Sequence, residues 1–384
     1  MPDHRTVARR RLAVLLVALA AFVAGIVLGA GAGGGEHGGS GAGQKGSTAG
    51  APSREARERA AVDKLTLRQQ IGQVIVLRFV GTTPPEYVRR ALRERRAAGA
   101  ILFHDNVLDP AQLRALTAAL RAAGGDPVVA VDQEGGEIRI VPWAPPAAAQ
   151  PQQAAAGTVR ADARAAGRTL RRLGITVSLA PVGDVPSVAD PALGGRENSR
   201  DAAVTARAMT DAVAGWRAGG VAPTAKHFPG LGGATVNTDD GPATGDRTLE
   251  QLEAIDLPPF EAAIKAGVPL VMIGHARYPA LDPDHIASQS RAIVQDLLRD
   301  RLGVRGVVIT DSMEAAASTA TGSIEAASER ALLAGADLLL LTGQGSFAPV
   351  SQHLLARARR SPALRSRIRE SAARVLALRD TGAP

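Results

Sequence analysis

Several side chains capable of chemistry stand where an apolar run ends. Asp311 follows GVVIT, Asp132 follows PVVAV, and Lys226 with His227 follow VAPTA. His104, Asp105, Asp184 and His275 bear the same relation to other runs. A carboxylate placed like Asp311 can be a catalytic nucleophile, or it can cap the helix after the strand; the residue alone leaves both open. Asp132, in VDQEGG, can accept hydrogen bonds from the hydroxyls of a ligand, while Gly135 and Gly136 let the backbone approach closely. Acidic strand ends also hold metals, but no His/Asp spacing here suggests one, and neither a metal nor a cofactor is expected. Lys226 and His227 precede Pro229 and Gly230, so their heads should face a pocket instead of continuing into a helix. A buried lysine needs a carboxylate, which makes a structural ion pair the competing role for Lys226.

Bringing strand-end residues together requires repeated β-α units. Eight short apolar runs occur, at 71–80, 98–103, 127–131, 176–181, 221–225, 268–273, 306–310 and 336–341. Helical patterns at 110–123, 202–218, 249–266, 290–302 and 324–334 alternate with them. Eight units in about 320 residues predict an α/β fold, a closed (β/α)8 TIM-like barrel forming a single catalytic domain over 61–384. The carboxyl ends of its strands would then share one site.

The chain of 384 residues is 45% hydrophobic, enough to bury such a core. Its formal charge of +8 would suit an anionic partner, but apart from the N-terminal arginines and the stretch 357–369 the basic residues are interspersed with acids. The arginine excess reads as coding bias and solvated helix faces, and no nucleic-acid binding is expected. Absence of cysteine excludes disulfides, thiol catalysis and Cys-ligated zinc. Arg9, Arg10 and Arg11 precede an apolar run over 12–32, so 1–32 reads as a signal peptide or a signal-anchor helix, with 33–60 as a Gly/Ala/Ser-rich flexible linker. The expected location is extracytoplasmic, secreted or anchored to the membrane by this segment, and the barrel is expected to be a monomer.

From about residue 65 to 377 the chain resembles glycoside hydrolase family 3, in particular its β-N-acetylhexosaminidases that trim peptidoglycan fragments. The resemblance is carried, in order, by ILFHDN at 101–106, VDQEGG at 131–136 with Arg139, LAPVGDV at 179–185, GRENS at 195–199, KHFPG at 226–230, GHARYPALDP at 274–283, GVVITDSM at 306–313 and AGADLLLL at 334–341. It implies that Asp311 is the nucleophile, that the product retains its configuration, and that Asp132, Arg139, Arg196, Lys226, His227 and His275 bind a carbohydrate. Arg196 matches a family arginine although the motif around it has changed to RENS, and His275 either bonds within the pocket or fixes its loop. Trp143 and Tyr278 are either sugar-stacking surfaces or core and rim.

One departure bears on catalysis. Similar enzymes follow KHFPG with a histidine and then an Asp-Ser-His element whose Asp-His pair supplies the general acid and base. Here the text is LGGATVNTDDGP, with Leu231 at the first position and Asn237, Thr238 and Asp239 at the element. Either Asp239 or Asp240 takes over as acid/base, with its pKa raised by burial near Asp311, or the protein is a glycan-binding relative without turnover. A carboxylate from a further C-terminal domain is not expected, and transfer to phosphate would need an added basic cluster. Asn237 to Gly241 also reads as a plain turn.

Overall fold

The computed structural model describes residues 54–187, 192–234 and 236–380. The expected signal or anchor (1–32) and most of the expected linker (33–60) lie outside them. Among the described residues no helix is long and apolar enough to cross a membrane.

Strands appear in chain order as β1 (Ile75–Arg78), β2 (Gly99–Ile101), β3 (Val128–Val131), β4 (Gln133–Gly135), β5 (Ile138–Arg139), β6 (Val177–Ser178), β7 (Ala222–Phe228), β8 (Leu270–Ile273), β9 (Arg277–Tyr278), β10 (Asp282–Ile286), β11 (Val307–Ser312) and β12 (Leu338–Leu341). Eight of them close a parallel barrel in the order β1, β12, β11, β8, β7, β6, β3, β2, which is the expected (β/α)8 architecture. Side chains alternate across each strand. Val76, Val128, Ala130, Leu270, Met272, Val307, Ile309, Leu338 and Leu340 form one cluster within the barrel. Their neighbours Leu77, Val129, Val271, Val308 and Leu339 belong to the clusters beneath the helices. Burial of both faces is why these strands read as unbroken apolar runs.

Helices begin where the sequence provides caps. Asp109 caps Pro110–Gly124, Asp201 caps Ala202–Ala218 and Ser323 caps Ile324–Ala334, each through a side-chain oxygen on a backbone N–H of the first turn. The expected helix over 249–266 is interrupted by a π turn at Leu252–Asp256. Pro258 and Pro259 immediately follow and cannot donate to that turn, which lets it widen. The helix Pro362–Asp380 closes the amino-terminal end of the barrel, its Val375 and Leu378 joining the interior cluster.

Near that end Asp337, wholly buried, accepts from Arg299, Arg367 and Arg374 and from the Val308 N–H at 2.9 Å. Arg367 and Arg374 therefore have a structural partner and are not simply part of a solvated face. Two small antiparallel hairpins, β4–β5 and β9–β10, follow β3 and β8. Neither shows the apolar alternation by which strands are read from sequence, and both add to the carboxyl end of the barrel.

Candidate active site

Strand β7 runs three residues beyond the expected end at Ala225, so Lys226 and His227 belong to the strand itself. Lys226 is buried, and its ammonium lies 2.6 Å from Asp132 Oδ1 and 2.7 Å from Glu134 Oε1. Arg196 closes the cluster with a two-pronged contact on Glu134, Nη2 to Oε1 at 2.6 Å and Nε to Oε2 at 3.0 Å. Burial would raise the Glu134 pKa, but the Lys226 and Arg196 charges outweigh it and bring it down to about 2. Burial likewise opposes the charge on Lys226, and Asp132 and Glu134 more than compensate, leaving its pKa raised. The ion pair considered for Lys226 is present, with two carboxylates. Glu134 was part of an acidic strand end but was not singled out as a site residue. Its signal was available: two residues after Asp132, it shares that residue's side of an extended chain.

Asp184, fully buried after β6, accepts from His227 Nδ1 at 2.7 Å and from the backbone N–H groups of His227 and Leu231 at 3.1 and 2.7 Å. A carboxylate can only accept, so Nδ1 carries the proton and Nε2 faces Asp311 Oδ2 at 3.9 Å. Asp311 is the penultimate residue of β11, its side chain 21% exposed, and its Oδ1 accepts from the Ser312 N–H at 2.8 Å. Burial pushes its carboxyl up, but His227, His275, the Ser312 N–H and Lys226 together hold it below the ordinary value. It is the ionised carboxylate that a nucleophile must be.

For His275 the contacts are those of a residue that fixes its loop, the second of the two roles open to it. It is fully buried, with Nε2 on the Ser312 carbonyl at 2.8 Å and Nδ1 on Ser288 Oγ at 2.7 Å. A carbonyl only accepts, so Nε2 donates and Nδ1 receives the serine proton, leaving no ring nitrogen for a sugar. Burial also lowers its pKa. His275 fixes the backbone beside Asp311. Tyr278 is no stacking surface either: it is 1% exposed, and its hydroxyl donates to the Gly230 carbonyl at 2.8 Å. Trp143 remains exposed on the rim at 38%. Arg139, half-buried in β5, receives a contact from His104 only at its backbone carbonyl, and its guanidinium has no ion pair among the described residues.

The loop after KHFPG folds over the end of β11. The carbonyls of Thr238 and Asp239 accept from Ala317 and Ala316 N–H at 3.0 and 3.4 Å, and Asn237 Oδ1 accepts from the Asp239 N–H at 3.0 Å. Farther along, Arg277 N donates to the Ala243 carbonyl and Gly245 N to the Arg277 carbonyl, at 2.9 and 2.8 Å, which ties the loop to β9. Asp239 keeps contact with solvent, yet its carboxyl is raised, first by desolvation and then by the negative charge of Asp311. Asp240, next in the chain, is exposed. The loop thus brings Asp239 near enough to Asp311 to feel its charge. Gly230, at the root of the loop, has φ +135°, and a Cβ there would fall 2.6 Å from Asp256 Cβ. Asp256 is pushed up to about 7 by burial despite its bond from Arg247.

A carboxyl held ionised near one held toward its neutral form, flanked by an ion-paired cluster and a fixed imidazole, is suited to acid-assisted displacement at an acetal carbon. Residues 66–378 match the family model "Glycosyl hydrolase family 3 N terminal domain". An uncharacterized secreted glycosyl hydrolase of Arthroderma benhamiae is 36% identical over 300 residues, which cover 73% of this chain and 84% of the relative. The structure of a glycoside hydrolase family 3 β-N-acetylglucosaminidase from Paenibacillus sp. superposes with a TM-score of 0.78 at 32% identity. The match covers 83% of this chain and 64% of that longer one. A β-N-acetylhexosaminidase from Beutenbergia cavernae gives a TM-score of 0.77 at 33% identity over 83% of this chain and 99% of its own.

Proposed function

The chain belongs to glycosyl hydrolase family 3, and from that premise we propose that it is an exported retaining glycosidase that removes a terminal β-linked N-acetylglucosamine, or a related β-hexose, from cell-wall glycans. Asp311 attacks the anomeric carbon as the bond to the leaving oxygen breaks, and Asp239 gives that oxygen its proton. Asp239, now ionised, takes a proton from water, and the resulting hydroxide displaces Asp311 to release the sugar with its original configuration. Asp132, Arg139, Arg196 and Lys226 supply acceptors and donors for ring hydroxyls, with Glu134 holding Arg196 and Lys226 in place. His227 presents Nε2 toward the same space.

The observation that carries this reading is the opposed perturbation of two carboxyls at one mouth, Asp311 lowered and Asp239 raised. The activities named for the Paenibacillus and Beutenbergia proteins support the choice of sugar. Export is supported by the apolar segment over 12–32 and by the secreted relative.

The alternative, a glycan-binding relative without turnover, would be favoured by a loop turned away from Asp311; the Thr238 and Asp239 contacts to residues 316–317 argue for hydrolysis. The test is hydrolysis of aryl β-N-acetylglucosaminides, glucosides and xylosides of graded leaving-group acidity, beside an Asp311→Asn control. Activity on poor leaving groups that vanishes in Asp311→Asn supports the hydrolase. Equal rates for both proteins on every substrate support binding alone.

A further inference from the structure

A cavity of about 1030 Å³ opens at the end of the barrel opposite Asp311. Its walls are the turns at 267–269 and 303–306 that lead into β8 and β11, together with the helices Arg54–Asp63 and Pro362–Asp380. Five arginines line it (Arg59, Arg299, Arg305, Arg369 and Arg374) against three acids. Arg369 is matched by Asp63 at 2.6 Å. Arg59 and Arg305 are exposed and make no ion pair among the described residues. Arg299 and Arg374, with Arg367 behind the wall, converge on the carboxylate of Asp337, and Arg367 also pairs with Glu370 at 3.0 Å. Burial and the neighbouring guanidiniums leave Arg299 and Arg367 with lowered pKa values even so, as expected of a cluster short of negative charge.

We propose that this groove seats the phosphate head groups of an anionic bilayer, so that the barrel stands on its closed end and Asp311 faces away from the lipid. Charge complementarity is the first argument, because guanidinium groups match phosphate oxygens in geometry as well as sign. The second is the course of the chain. Residues 1–53 lead directly into the helix Arg54–Asp63, whose Arg59 lines the groove. The apolar run ends at 32, about 21 residues before the helix. A run inserted in the bilayer would thus be joined in sequence to the helix that lines the groove, not to the end that carries Asp311. The inference rests on reading that run as membrane-inserting, and hydrolysis does not depend on it. Part of the basic stretch at 357–369, unused by the catalytic reading, belongs to this surface through Arg369.

The absence of cysteine allows single-site labelling of the full chain. Ser366→Cys reports from the groove, and Thr82→Cys, on the exposed loop after β1, reports from the opposite end. Each labelled protein is inserted in vesicles of phosphatidylcholine, alone or mixed with phosphatidylglycerol, that carry a head-group quencher. The proposal predicts strong quenching at residue 366 that requires phosphatidylglycerol and fades with added salt, and none at residue 82. In Arg59→Glu/Arg305→Glu, with aryl-glycoside hydrolysis and circular dichroism unchanged, the quenching should need at least about 25-fold more anionic lipid, about fivefold per arginine removed. Equal quenching in neutral and anionic vesicles, stronger quenching at residue 82, or indifference to the double substitution overturns it. So does a groove that takes soluble polyphosphate yet shows no dependence on anionic lipid.

Discussion

Replacing Glu134 with Gln removes the carboxylate shared by Lys226 and Arg196 while keeping the shape of the side chain. The magnitude follows from the environment of Glu134. Its pKa falls from an ordinary 4.5 to about 2 in the fold, and at about 1.4 kcal/mol per unit that is about 3 kcal/mol of net stabilisation of the ionised form. Glu134 is only 3% exposed, so solvent screens little of it. Since the folded pKa is depressed, the contribution is fully present above pH 4.5 and is lost as the pH falls toward 2. Glu134→Gln should therefore be less stable than the wild type by about 3 kcal/mol at pH 7, and the gap should shrink steadily below pH 4.5. Urea unfolding followed by circular dichroism between pH 3 and 7 measures both. Asp132 remains beside Lys226 at 2.6 Å, so the lysine is not left isolated, while Arg196 loses its two-pronged contact. A variant within about 0.5 kcal/mol of the wild type at pH 7, or a gap that does not narrow in acid, refutes the reasoning.

The remaining predictions concern catalysis and the loop. Asp239→Asn should cost about 10²- to 10⁴-fold in kcat/KM on poor leaving groups and far less on the most acidic ones, whereas Asp240→Asn should be near wild type throughout; steady-state kinetics on the graded aryl series distinguish them. The pH profile of kcat/KM should be bell-shaped, falling in acid as Asp311 protonates below its ordinary value and in base as Asp239 ionises above its own; in Asp239→Asn, assayed with an activated substrate, the alkaline limb should disappear. Gly230→Ala should destabilise by about 1–3 kcal/mol for the backbone alone, and further through the clash with Asp256; thermal unfolding would reveal a tolerated substitution as unchanged Tm. Tyr278→Phe should cost about 1 kcal/mol and raise KM by loosening the loop, measurable by denaturant titration and kinetics.

The barrel was legible because burial of both faces leaves continuous apolar runs such as LLLL at Leu338–Leu341, and because Asp109, Asp201 and Ser323 mark helix starts. Elements without that signal were not. In β9 and β10 the strands are RY and DPDHI, whose pairing is set by the loop they support. The end of β7 was placed too early because Lys226 and His227 look like loop residues until Asp132, Glu134 and Asp184 are seen to neutralise or bind them. The positions that would surround a substrate followed from polar residues at strand ends. Which of them keep a free donor did not: His275 and Tyr278 are spent on Ser312, Ser288 and Gly230, partners remote in sequence. Asp239 and Asp240, adjacent and identical in type, carry no signal that separates them in the sequence; the fold adds the desolvation of Asp239 and its exposure to the charge of Asp311.

The most direct test of the catalytic assignment is to trap the covalent intermediate. Asp239→Asn is mixed with a dinitrophenyl β-N-acetylglucosaminide, whose departure needs no acid while the second step lacks its base, and the protein is digested for mass spectrometry. The account predicts one sugar attached to the peptide containing Asp311, with no such adduct in Asp239→Asn/Asp311→Asn. Turnover of that substrate without an adduct, or an adduct on another residue, would contradict it.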